Sequence, residues 1–195
     1  MAAPKILVMA GSLRSGSHNA RLAALATKEF VLAGAEVTRI SLADYPLPLI
    51  DADVLAASGP PRQAVDLRGV LTAHQGIFIA SPEYSASVTP LLKNAIDWIS
   101  RVRERGEPAY AAFKGRAFAI GSAAHGAAGG VRGLIALRQV LELGCGALVI
   151  PEQINVGGAD EAFDEMDNLK DEKLAAALKN LVRRLVELAS LMPRT

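Results

Sequence analysis

Four short apolar runs constrain this chain more than any other feature: Ile6-Leu7-Val8-Met9-Ala10, Ile77-Phe78-Ile79-Ala80, Ala117-Phe118-Ala119-Ile120 and Ala147-Leu148-Val149-Ile150. None alternates with polar residues, so none can lie with one face in water. Each reads as a strand covered on both sides, which is the pattern of an internal parallel sheet. The predicted strands span 6–10, 76–80, 116–121 and 147–150. A fifth segment, 35–42, alternates apolar with polar residues and reads as an edge strand.

Between these runs the apolar period changes from continuous to helical. Leu22, Leu25, Ala26, Phe30 and Ala33 recur at helical spacing after a possible Asn19 cap, and Gly34 ends the pattern. Further helices are predicted over 62–73, with Val65, Leu67, Val70 and Leu71 packing, and over 89–103. Another runs over 131–143, with Leu134, Leu137, Val140 and Leu141. The last, 171–191, carries the stripe Leu174, Leu178, Leu181, Leu185 and Leu188. Residues 44–49 hold Pro46 and Pro48 and are excluded from a regular helix or a central strand, because proline lacks the amide donor.

Strands alternating with helices require right-handed crossovers and hence a parallel sheet. The expectation is one domain over 1–195, a three-layer, doubly wound α/β fold with a five-stranded sheet in the order 2-1-3-4-5. Ligands of such sheets bind at the carboxyl ends of the strands where the connections diverge, here after strands one and three. The loops to inspect are 11–19 and 81–90.

Loop 11–19 reads Gly-Ser-Leu-Arg-Ser-Gly-Ser-His-Asn and leads into a helix, whose positive end favours an anion. Arg14 offers a planar fork to a phosphate, and Ser12, Ser17 and Asn19 offer neutral donors. The loop lacks both G-x-G-x-x-G and the Lys-Ser/Thr ending of a P-loop, which favours a mononucleotide over a dinucleotide or triphosphate. The plainer reading is a polar turn in which Ser17 or Asn19 only caps the helix. Loop 81–90 contains Pro82-Glu83-Tyr84-Ser85 and could present a rigid edge to a flat heterocycle. Read alone, Tyr84 and Trp98 are equally at home as core or interface aromatics.

These segments together, Gly11-Ser12-Leu13-Arg14 with Ser17 and Asn19, Pro82-Glu83-Tyr84, and Leu92-Lys93-Asn94-Ala95-Ile96-Asp97-Trp98, resemble the NADPH-dependent FMN reductase family. That family has a flavodoxin-like fold and includes quinone, azo-dye and chromate reductases. The resemblance runs from about Lys5 to the last strand. It implies that Ser12, Arg14, Ser17 and Asn19 bind the phosphate of FMN, that Pro82, Glu83, Tyr84 and Ser85 lie along its ring, and that Ser122 and Gly126 complete the pocket from the loop after strand four. It also implies NADPH or NADH as co-substrate, hydride passing through FMN to a small electron acceptor, no catalytic side chain of the protein, and a homodimer or homotetramer. The chain departs from the family in having Ser85 where Asn is usual, Thr89-Pro90 where Pro-Gly is usual, and His125 where proline is common. A flavodoxin-type electron carrier, which would not oxidise NAD(P)H directly, is the competing reading, followed by a flavin-binding scaffold.

Composition narrows the partners. Lys and Arg total 21 against 20 for Asp and Glu, a formal charge of +1, so no basic field draws nucleic acid or an anionic membrane. The charge also differs from that of a strongly acidic electron carrier. No apolar run approaches the ~20 residues of a membrane span. Cys145 is the only cysteine and excludes an internal disulfide; with an N-terminal stretch unlike an export signal, it points to the cytoplasm. His18, His74 and His125 have no metal-ligand spacing, so no metal is expected. Without a G-x-S-x-G elbow, a hydrolase triad through Ser17 and His125 has little support.

Overall fold

The computed structural model describes residues 2–193. Met1, which opens the N-terminal stretch, lies outside the described residues, as do Arg194 and Thr195. The strands are β1 (Lys5–Ala10), β2 (Glu36–Ile40), β3 (Gly76–Ala80), β4 (Ala117–Ala123) and β5 (Leu148–Val156). They form one sheet in the order β2-β1-β3-β4-β5 with every pairing parallel. This is the flavodoxin-like arrangement expected from the sequence, and β2 is an edge strand as its alternation predicts.

The described residues form six α-helices, α1 (His18–Leu32), α2 (Ala52–Ser58), α3 (Arg62–Thr72), α4 (Pro90–Arg101), α5 (Val131–Gln139) and α6 (Glu172–Leu191), and all but α2 cover the sheet. Because side chains alternate along a strand, the two faces sort cleanly. Ile6, Val8, Phe78, Ala117 and Ala119 pack with Leu22, Phe30, Leu181 and Leu185 of α1 and α6. Leu7, Met9, Ile77, Phe118 and Ile120 pack with Leu67, Leu92, Ile96 and Leu134 of α3, α4 and α5. Small residues of β4 face α1 and α6, while its large ones face the other layer.

Several local expectations need correction. Helix α2 was not expected; Asp51 caps it, accepting from the amides of Asp53 and Val54, although none of its residues is buried. In α3 the buried positions are Ala64, Leu67, Arg68 and Leu71, with Val70 partly buried against the core as expected, and Val65 is exposed because it lies one residue out of phase with Ala64. The 131–143 segment is helical, but its end, Val140–Gly144, widens into a π turn. Strand β5 continues past residue 150 to Val156. Its register against β4 slips between Phe118 and Ile120, so that Phe118 pairs with Val149 but Ile120 with Gln153. Pro151 sits in this irregularity, where an edge strand tolerates a missing amide donor.

The proline-marked segment after β2 is anchored by α4. Asn94 donates to Pro48 O at 2.9 Å and accepts from Ile50 N at 2.9 Å, while the fully buried Trp98 donates its indole N–H to Pro48 O at 2.7 Å. Trp98 is therefore a core residue with a satisfied polar edge.

Candidate functional site

The carboxyl ends of β1 and β3 emerge side by side, as the strand order requires. Gly11 N donates to Ala80 O at 2.8 Å, and Thr89 Oγ1 donates to Gly11 O at 2.9 Å, so the first and third loops are tied at their roots. A Cβ on Gly11 would lie 3.2 Å from Leu92 and 3.4 Å from Pro82, which makes glycine the residue that permits this close approach.

One cleft between these loops is lined by Ser12, Arg14, Ser17 and Asn19 together with Pro82, Glu83 and Tyr84. An adjoining cleft shares Ser12, Arg14 and Tyr84 and continues to Thr89 and Leu91. The start of α1 faces the first of these. Ser17 stands at its N-cap in extended conformation, yet its hydroxyl makes no capping hydrogen bond. The first amides of α1 therefore lack a side-chain acceptor, the situation that a bound anion resolves. Arg14 adds charge: its guanidinium makes no ion pair among the described residues, and its amide donates to Ser12 Oγ at 3.2 Å, folding the loop on itself.

Asn19 does not cap the helix. Its amide nitrogen donates to Ala123 O at 2.8 Å and its oxygen accepts from Ala123 N at 3.0 Å, which pins α1 to the end of β4 from a fully buried position. Its side chain thus shapes the site more than it offers itself to a ligand.

The third loop is built differently. Tyr84 and Ser87 exchange backbone hydrogen bonds of 3.0 and 2.9 Å around Ser85 and Ala86, whose φ angles are 48° and 61°. Two successive positive φ values make this the tight hairpin turn that favours Asn and Gly. Ser85 is at the hairpin tip, outside the cleft lining, and Tyr84 is 55% exposed. The Glu83 carboxylate turns toward α5, accepting from Gly133 N at 2.9 Å and pairing with Arg132 at 2.6 Å. The Gly133 amide, with Arg132 assisting, holds the Glu83 carboxyl below the usual carboxylate range. Glu83 is thus a clamp for the ledge. Arg132 was not singled out from the sequence, and only its position at the start of a helix beside the third loop could have suggested it.

Two further expected residues are placed otherwise. Ser122 lies within β4, not in the loop after it; it is fully buried, with its hydroxyl unpartnered. Gly126 is in that loop but exposed and is not among the residues that line the cleft. The cleft instead includes Ala124, His18 and His125. The two imidazoles meet edge to face, with ring centroids 5.1 Å apart, and both reach Asp160 from the loop after β5. His125 and His18 together hold the Asp160 carboxyl below its usual range, His125 contributing the larger part. Asp160 carries no motif, and only its place just beyond the last strand could have marked it.

Comparisons with known proteins agree with this geometry. Residues 4–161 match the family model for NADPH-dependent FMN reductase. An NAD(P)H-dependent FMN reductase of Pseudomonas aeruginosa is 36% identical over 184 residues, 93% of this chain and 92% of that protein. A quinone reductase of Escherichia coli K12 is 36% identical over 138 residues, 70% and 69% of the two chains. Among solved structures, the flavoenzyme NAD(P)H:(acceptor) oxidoreductase FerB of Paracoccus denitrificans superposes with a TM-score of 0.80 at 25% identity, covering 97% of this chain and 99% of its own. The chain belongs to the NADPH-dependent FMN reductase family, as an NAD(P)H-dependent flavin oxidoreductase.

Proposed function

We propose that this reductase grips the phosphate of FMN at the start of α1, lays the ring against the ledge 82–85, and passes electrons from NADPH or NADH to a small acceptor such as a quinone or an azo compound. The observation that carries the reading is the uncapped N-terminus of α1 with an unpaired Arg14, facing a ledge whose backbone is already fixed. The donor set suits a phosphate monoester: one planar cation, the Ser17 hydroxyl, and helix amides with no acceptor of their own. FMN, when bound, supplies the two-electron chemistry between nicotinamide and acceptor.

The chain's own residues then bind and orient. Arg14 and the α1 amides hold the phosphate, Glu83 fixes the ledge through α5, and the Tyr84 ring flanks the opening. No side chain is needed as a general acid or base. Leu13 and Tyr84 are exposed beside the opening, and Leu49 is exposed on the proline-marked segment. We place a second copy of the chain over these apolar groups, as a homodimer or homotetramer, which light scattering on the purified protein tests. No helix among the described residues is long and apolar enough to cross a membrane, and a cytoplasmic setting suits an enzyme fed by NAD(P)H.

Anaerobic stopped-flow mixing tests the function directly. Bound FMN bleaches on addition of NADPH or NADH and recolours on addition of a quinone. An oxidised spectrum that persists under excess of both nucleotides overturns the reading and leaves a flavodoxin-type carrier, although the near-neutral charge gives a carrier little field with which to dock.

A further inference from the structure

His18, His125 and Asp160 stand on three different connections, those after β1, β4 and β5, and are separated by up to 142 residues in the chain. Their ligand atoms nevertheless lie within 4.8 Å of one another. Asp160 Oδ1 is 3.2 Å from His18 Nε2, and Asp160 Oδ2 meets His125 Nδ1. The His18 side chain is only 13% exposed, whereas those of His125 and Asp160 are 71% and 58% exposed. One ligand is thus anchored in the wall of the cleft and two are accessible from solvent.

As hydrogen bonds between groups this exposed, these contacts do little to hold three loops together. As ligands they form a more purposeful set. Two imidazoles and one carboxylate suit zinc(II) and its late first-row neighbours, and with three protein ligands the remaining coordination positions stay open. We propose that His18 Nε2, His125 Nδ1 and Asp160 form a binding site for a late first-row divalent cation, of which zinc(II) is the probe. Its ligand atoms are side-chain atoms that the flavin reading does not use, although His18 and His125 line the same cleft. The buried Nδ1 of His18 has no hydrogen-bond partner, so the site lacks the outer acceptor that normally fixes a ligating imidazole. That makes the cation exchangeable, with affinity below that of a structural zinc site by about 10- to 100-fold for the missing partner.

The test uses the full chain as purified, titrated with zinc(II) alone by calorimetry and followed by NMR of the imidazole nitrogens. The expected result is one saturable equivalent that shifts the signals of His18 at Nε2 and His125 at Nδ1. His74, whose Nδ1 lies 2.7 Å from Val70 O, should remain unmoved. His125→Ala and Asp160→Ala, both at exposed positions, should each weaken binding at least about tenfold, with circular dichroism confirming that the fold is kept. Absence of saturable uptake up to about 1 mM, uptake that survives both substitutions, or shifts confined to His74 would each overturn the site.

Discussion

The first and third loops meet at the same crevice but are held in opposite ways. In the first, the Arg14 guanidinium makes no ion pair among the described residues, and the hydroxyl of Ser17 makes no cap. The third is braced from several sides: the Glu83 carboxylate by Gly133 and Arg132, the Tyr84 backbone by Ser87, and the Thr89 hydroxyl by Gly11. A loop that binds charge keeps donors in reserve, because a group already satisfied within the protein gains little from a ligand. A loop that supports a flat ring gains from rigidity, because ordering it on binding would cost conformational entropy. Substituting Arg14 in the first loop should therefore alter binding without altering stability, while substitutions behind the third should alter both.

The largest effect is expected behind the third loop. Gly130 has φ +80°, and a Cβ there would lie 2.0 Å from Ser122 Oγ and 2.9 Å from Ser122 Cβ. Gly130→Ala should cost roughly 2–4 kcal/mol of stability from backbone strain and overpacking together, read from denaturant unfolding, and should loosen FMN. A loss below about 0.5 kcal/mol would show that the support of the ledge is soft.

Arg14→Ala comes next and gives the converse pattern. FMN affinity should fall about tenfold or more, where each decade corresponds to ~1.4 kcal/mol, while unfolding without added FMN shifts by less than about 0.5 kcal/mol. Unchanged affinity in a flavin titration would remove Arg14 from the site.

Glu83→Gln weakens the clamp by about 1 kcal/mol at neutral pH, since a charge-assisted bond becomes a neutral one. The folded carboxyl titrates below its unfolded value. Its contribution is therefore complete above roughly pH 4.3 and is lost as pH falls through the lower, folded value. The stability gap between wild type and Glu83→Gln should accordingly close on acidification; a gap that widens would assign the wrong sign to the clamp.

The smallest effect belongs to the hairpin tip. Ser85→Asn places a residue tolerant of positive φ where φ is 48° and should stabilise the turn by a few tenths of a kcal/mol. Slower hydrogen exchange at the Tyr84 and Ser87 amides would register it. This also gives a backbone reason for the asparagine usual in the family, separate from any contact with flavin.

Much of this was legible from residue order. Continuous apolar runs marked β1, β3 and β4, and the alternating segment marked the edge strand, because burial on two faces or one leaves different patterns. The expectation of an anion site at loop 11–19 rested on local chemistry alone, on its glycine, serines and arginine. Where the reading failed, a distant partner had intervened. Asn19 looked like a cap but serves Ala123, more than a hundred residues away. Ser122 looked like a loop residue, but pairing with Asn155 of β5 carries β4 beyond it.

The same division holds for the whole molecule. Period and punctuation along the chain marked the strands, the helices and the two loops that face the crevice, since these depend on short-range geometry and on which residues shun water. Only the tertiary structure decided that Glu83 reaches Arg132 across the ledge, that Ser122 is sealed beneath Gly130, and that two histidines converge on Asp160. Those relations join residues brought together when loops meet over the end of the sheet, and no local spacing encodes the distance between them.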